Sequence, residues 1–163
     1  MLKGFITNLG KYNEGELVGE WIEFPITEDE LEEVFERIGI NEEYEEYFFT
    51  DWECEFDTGL GEYESVEKVS NLAEALERVD ADTVEAIIEA TGYSLEYAID
   101  HVDDVAFYQG QTLYDLAYDL VNECYFTKDT PEVLKNYFDY SAFARDLGFD
   151  GYTEVTGGVI YIP

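Results

Sequence analysis

Apolar residues recur along this chain with two different periods, and the switches between them mark out its elements. Phe5, Ile6 and Asn8 suit a short strand, Gly10 to Gly15 a loop, and Leu17 to Phe24 a second strand carried by Val18, Trp21, Ile22 and Phe24 and stopped by Pro25. Thr27 and Glu30 then stand at capping-box spacing, Leu31, Val34, Phe35 and Ile38 follow at helical period, and Gly39 is placed to end that helix. From Tyr44 the aromatics thicken, and Trp52-Glu53-Cys54-Glu55-Phe56 alternates apolar with acidic, as a strand does.

After Gly59-Leu60-Gly61 the period is helical. Ser65 is a cap for a helix holding Val66, Val69, Leu72, Ala73, Leu76 and Val79. Asp82 and Glu85 form the next capping pair, ahead of Val84, Ile87 and Ile88 and the terminator Gly92; Ser94 caps a third helix through Leu95, Ala98, Ile99 and Val102. From Asp104 the types mix: a strand over Val105 to Tyr108, a turn at Gln109-Gly110, and a helix capped by Thr112 over Leu113, Leu116, Ala117, Leu120 and Val121. Thr130-Pro131 opens another helix, Tyr140 to Leu147 makes a third ended by Gly148, and Tyr152 to Val155 with Val159 to Ile162 around Gly157-Gly158 read as a hairpin. The pattern predicts an α+β protein in three small subdomains: a small sheet plus helix over 1–60, a helical bundle over 61–103, and a hairpin or sheet with helices over 104–163.

Charge changes this picture more than any motif does. Forty acids against eight bases leave a net charge of −32, and residues 28–64 alone carry −15. That stretch interleaves its carboxylates with Leu31, Val34, Phe35, Ile38, Tyr44, Tyr47, Phe48, Phe49, Trp52 and Phe56, so the charge sits on a folded frame and not on a solvated tail. Phosphate binding needs lysine and arginine, so nucleic acid and anionic membrane surfaces are excluded as partners. No apolar run is long enough to span a membrane, and the N-terminus has no signal-type apolar segment, which sets the expectation of a cytoplasmic protein. Cys54 and Cys124 lie too far apart for a metal-type spacing and read as small hydrophobes or free thiols.

No phosphate loop, dinucleotide fingerprint or zinc-protease motif is present, and no cofactor is implied. The only histidine, His101, has no serine or cysteine motif beside it and reads as structural. With forty carboxylates, some pair must stand at a catalytic separation, so pairs carry no information. An acidic calcium-binding protein is the alternative reading, yet Asp57-Thr58-Gly59-Leu60-Gly61-Glu62, the nearest fragment to a calcium loop, lacks a ligand at its third position. A halophile-type solvated surface would also be acidic, but the aromatic content and the local concentration of charge count against it.

What remains is a surface that imitates a polyanion. Duplex DNA carries one charge per ~1.7 Å of axis, so −32 corresponds to about 54 Å of duplex, and a dimer to about 110 Å. The carboxylates placed to do this are Glu28, Asp29, Glu32, Glu33, Glu36, Glu42, Glu43, Glu45, Glu46, Asp51, Glu53, Glu55, Asp57, Glu62 and Glu64.

NLGKYNEGELVGEW from Asn8 to Trp21, followed by Phe24-Pro25, closely resembles the start of the ArdA antirestriction proteins. INEEYEEYFFTDWE from Ile40 to Glu53 resembles their next segment, and Pro131-Glu132 with NYFDYSAFARDLG from Asn136 to Gly148 is similar to the family's antirestriction motif. The resemblance implies a non-enzymatic DNA mimic of mobile genetic elements such as conjugative transposons. It would be elongated, with three domains, and would occupy the DNA-binding methyltransferase core of type I restriction–modification enzymes. It also implies a homodimer held by the C-terminal domain, and the aromatic, weakly charged Tyr137, Phe138, Tyr140, Phe143 and Ala144 are the expected contact, with ordinary core as the alternative role for that segment.

Overall fold

In the computed structural model, which describes residues 1–163, the first strand of the chain is the middle strand of a sheet. Strand β1 (Leu2–Asn8) pairs antiparallel with β2 (Gly19–Phe24) on one side and β3 (Tyr47–Glu53) on the other. Leu2, Gly4 and Ile6 point to one face, Lys3 and Phe5 to the other, as the period of two requires. Gly4 is needed where it stands: a Cβ there would lie 2.7 Å from Trp52 Cζ3 and 2.9 Å from Phe49 Cδ1. Helices α2 (Glu28–Ile38) and α3 (Val66–Arg78) cover that inner face with Val34, Ile38, Val69 and Ala73, which join Leu2, Ile6, Ile22, Phe24 and Phe49 in one core. Each large side chain buried there stabilises by roughly 1.5–3 kcal/mol.

α2 starts and stops as its sequence dictates. Thr27 and Glu30 form a reciprocal capping box, and Gly39 takes the left-handed conformation (φ 76°) after Ile38. Asn8, wholly buried at the end of β1, fastens this helix end to the sheet: its Nδ2 donates to the carbonyls of Ile38 and Gly39, both at 3.1 Å, while its Oδ1 accepts from Lys11 N at 3.0 Å. That last bond caps α1 (Leu9–Asn13), a single helical turn where the sequence pattern suggested a loop.

β3 also departs from expectation. The alternation was strongest over Trp52 to Phe56, yet the strand is Tyr47–Glu53. Glu53 pairs with Lys3, beyond which β1 has only Leu2 left, so most of the alternating segment has no partner.

The chain divides into two compact units, Met1–Arg78 and Val79–Pro163, where the sequence suggested three parts. The Gly59–Gly61 boundary falls inside the first unit because α3 buries Val69 and Ala73 against the sheet, and because Phe49 N donates to Glu62 O at 2.7 Å. The expected helical bundle is thereby split, with α4 (Ala81–Thr91) and α5 (Leu95–Asp100) in the second unit. α4 is capped by Asp80, whose side chain accepts from Thr83 N, two residues ahead of the expected cap.

The second unit continues with β4 (Ala106–Gln109), α6 (Leu113–Leu120), α7 (Glu132–Asn136), α8 (Tyr140–Leu147), β5 (Tyr152–Val155) and β6 (Gly158–Tyr161). Its strands form an antiparallel sheet in the order β4–β6–β5, with Leu116, Ala117, Ala144, Leu147 and Val159 as a core. α6 runs on into a π turn, Val121–Tyr125, that no pattern in the sequence announced. The molecule is α+β, with two small antiparallel sheets.

Asn8→Ala leaves the Ile38 carbonyl without its donor, takes one of two side-chain donors from the Gly39 carbonyl and removes a cap. It is expected to cost about 2–4 kcal/mol, read as a lower urea midpoint at unchanged slope.

Candidate functional site: fixed carboxylates on the first unit

Seven of the eight bases are already engaged by carboxylates close to them. Lys3 meets Glu53 (4.0 Å), Lys11 meets Glu14 (3.4 Å), Arg37 meets Glu20 (2.6 Å) and Glu33 (3.7 Å), and Lys68 meets Glu64 (2.8 Å). Arg78, Lys135 and Arg145 pair with Glu74, Glu132 and Asp146. Among the fifteen carboxylates singled out from the sequence, only Glu33, Glu53 and Glu64 therefore have a basic partner.

The exposed face of α2 carries Glu28, Asp29, Glu32, Glu33 and Glu36, because Val34 and Ile38 take the opposite side into the core. At 1.5 Å rise per residue these five span about 12 Å, roughly one charge per 2.4–3 Å. That lies between the ~3.4 Å of one DNA strand and the ~1.7 Å of the duplex. Glu30 is not part of the row. Hydrogen bonds from the Thr27 hydroxyl (2.7 Å) and amide (3.0 Å) engage its carboxylate and hold it below its ordinary 4.5.

The next four carboxylates, Glu42, Glu43, Glu45 and Glu46, are exposed on a loop that is braced from three sides. Asn41 Oδ1 accepts from the amides of Glu43 (2.8 Å) and Tyr44 (3.1 Å), and Leu9 N donates to Glu46 O (3.0 Å). Tyr44 turns inward: its hydroxyl donates to Glu14 Oε1 at 2.9 Å and accepts from Lys11 Nζ at 3.2 Å, and the lysine also lies over its ring. The hydrogen bond to Tyr44 is the main reason the Lys11 ammonium holds its proton above the ordinary range.

Asp51 and Glu53 stand elsewhere. A bulge at Thr50 shifts the register between Phe5 and Ile6 of β1, so Phe49 and Trp52 face the core while Asp51 and Glu53 face the other side of the sheet. The predicted set is thus divided between the helix-covered side and the open side of one sheet. Glu55, Asp57 and Glu62 follow, exposed, in the segment after β3. Glu64 differs from all of these: it is half-buried, bonded to Lys68 and to the amide of Gly61, and the lysine above all keeps its carboxyl low. Its i,i+4 spacing to Lys68 was the available signal.

In the second unit the aromatic segment is partly core and partly surface. Tyr137 is 85% exposed, whereas Phe138, Tyr140 and Phe143 are half-buried in edge-to-face contacts of 4.9–6.0 Å. Ala144 is buried with Leu116 and Leu147, so it presents nothing to a partner; its place in NYFDYSAFARDLG did not reveal that. Three residues not singled out from the sequence belong with the surface part: Tyr118 packs on Tyr140 (5.0 Å), Tyr125 on Phe143 (5.8 Å) and Tyr114 on Tyr140 (6.2 Å), all about half exposed or more. Tyr114 and Tyr118, at i,i+4 on the face of α6 away from Leu116 and Ala117, were the readable hint.

The sequence profile of the family described as antirestriction protein (ArdA) matches residues 5–161. The chain belongs to the ArdA family. The match runs from within β1 to the end of the last strand, so it covers nearly all of both units of this ArdA protein. Among curated proteins no match is found.

The remaining chemistry-bearing residues of the ArdA chain are occupied structurally or stand alone. His101 Nδ1 donates to Tyr97 O at 2.8 Å and its ring stacks on Tyr97 at 4.0 Å. Cys54 packs against the first core and Cys124 is exposed, both as free thiols. No three His, Cys, Asp or Glu side chains converge as a metal-holding set.

Tyr44→Ala removes the brace under the acidic loop without changing the net charge. Amide hydrogen exchange over residues 42–46 is expected to speed up at least about tenfold, since local opening loses the bonds to Lys11 and Glu14, while the exchange of β1 stays as in the wild type.

Proposed function

We propose that this ArdA protein acts as a DNA mimic. Its carboxylates occupy the DNA-binding groove in the methyltransferase core of a type I restriction–modification enzyme, in the cytoplasm, and exclude DNA without performing any reaction. The observation that carries this reading is the row on α2 with the braced loop behind it: exposed carboxylates at near-phosphate density, almost none of them neutralised from within. Such a surface meets a groove lined with lysine and arginine as DNA does, and binding is driven by charge density, so that no single carboxylate dominates.

Inhibition is expected to be competitive with DNA and to weaken as salt rises. Changing Glu42, Glu43, Glu45 and Glu46 together to glutamine should weaken it at least about tenfold more than any one change, with a shallower salt slope. Steady-state cleavage and methylation assays at varied DNA and salt decide this; loss of all inhibition in Glu46→Gln alone would mean a discrete pocket.

We further propose that two copies associate through the aromatic surface of the second unit. The support is the number of large apolar and aromatic side chains left exposed in this unit: Tyr118, Tyr125, Val133, Leu134 and Tyr137. A symmetric contact counts each substitution twice. Leu134→Asp with Tyr137→Asp is therefore expected to yield a folded monomer at tens of micromolar by analytical ultracentrifugation. These exposed positions are better probes than Phe143, which packs against the core.

A further inference from the structure

The open side of the first sheet has a pattern that phosphate mimicry does not call for. Antiparallel register lays two rows across it: Glu23–Lys3–Glu53, and Trp21–Phe5–Asp51. In the first row Lys3 is held by Glu53 at 4.0 Å. In the second, the Phe5 and Trp21 rings meet edge to face at 5.5 Å, and 47% of Trp21 remains exposed. Neighbouring strands set adjacent side chains about 5 Å apart, so Asp51 and Glu23 stand within reach of a group lying on these rings. α2 and α3 cover the other face; on this one Phe48, which Tyr12 and Tyr63 pack against, is buried with Thr7 at one end, and the end with Trp21 stays open.

We propose that Trp21 and Phe5 form a platform for an arginine side chain of the inhibited enzyme, with Asp51 and Glu23 receiving its guanidinium. This rests on the reading of the protein as an inhibitor of a DNA-binding enzyme. The occupant follows from charge. A second copy of a chain at −32 is repelled from a face edged by Glu23, Asp51 and Glu53, whereas a groove built for DNA is rich in arginine. Arginine fits better than lysine because its planar, weakly hydrated guanidinium stacks on an aromatic ring while its N–H groups reach a carboxylate. DNA phosphates offer no such ring, so this contact supplies affinity that salt screens less.

The test uses full-length protein labelled with 5-fluorotryptophan, which carries two indoles, Trp21 and Trp52. The fluorine signal of Trp21, assigned by its loss in Trp21→Phe, is followed as an oligoarginine or an oligolysine peptide of equal length is added. A saturable shift of Trp21 and not of Trp52 is expected, about tenfold tighter with arginine. No shift, or equal shifts with both peptides, overturns the proposal. Against a type I methyltransferase, Trp21→Ala is expected to weaken competition with DNA about tenfold while leaving its salt slope unchanged; Trp21→Leu serves if the alanine variant does not fold. Wild-type inhibition by a folded variant overturns the platform and leaves mimicry standing. If the wild type itself does not compete with DNA, mimicry falls and the peptide titration alone decides. A change in sedimentation without a peptide response makes the face a self-association surface, and overturns the proposal.

Discussion

Repulsion among forty carboxylates is the constraint to which everything else in this protein answers. Eight bases cannot neutralise them, and seven of the eight are spent on neighbours such as Glu14, Glu20, Glu64 and Glu74. Both cores exclude charge entirely: Thr7 and Asn8 are the only buried polar residues, and no acid is buried. Cohesion therefore comes from apolar burial and backbone pairing, and the charge is kept where water and salt screen it. α2 shows the compromise in detail. Glu28, Asp29 and Glu30 fill its first turn, where the helix dipole favours negative charge, and Arg37 stands in its last turn.

Repulsion also explains why the acidic surface is so firmly tied down. A row of like charges on a helix end or a loop tends to fray its support, and a frayed row loses its spacing. Asn8 counters this at the end of α2 with bonds to two carbonyls, and Tyr44 counters it at the loop with bonds to Lys11 and Glu14. Both anchors work through an amide or a hydroxyl, not a basic group, and reach across at least thirty residues of sequence, so they do not dilute the charge they fix. Carboxylates are denser in the first unit, whereas exposed tyrosines are more numerous in the second.

Membership of the ArdA family fixes antirestriction as the setting. Within it, the geometry supports an inhibitor whose binding is spread over many groups. The open sheet face adds a different kind of contact, aromatic and directional, on the opposite side of the sheet from α2. A partner that engaged both would have to enclose the first unit, not merely touch one side of it.

Capping and period are local, and the sequence by itself determined what depends on them. The capping box at Thr27, the cap at Thr112, the terminator Gly39, α8 from Tyr140 to Leu147 and the closing hairpin were all legible. Tertiary structure decided whatever depends on a partner distant in sequence. α3 has an ordinary amphipathic pattern, and only the sheet it meets assigns it to the first unit. Ala144 reads the same exposed or buried until α6 packs against α8. Asp51 and Glu53 are the clearest case. Strict alternation from Phe49 would carry them into the core, and the bulge at Thr50, defined only by pairing with β1, turns them out. A strand's period of two is written in its own residues, but which face is which is settled by the register of its neighbour.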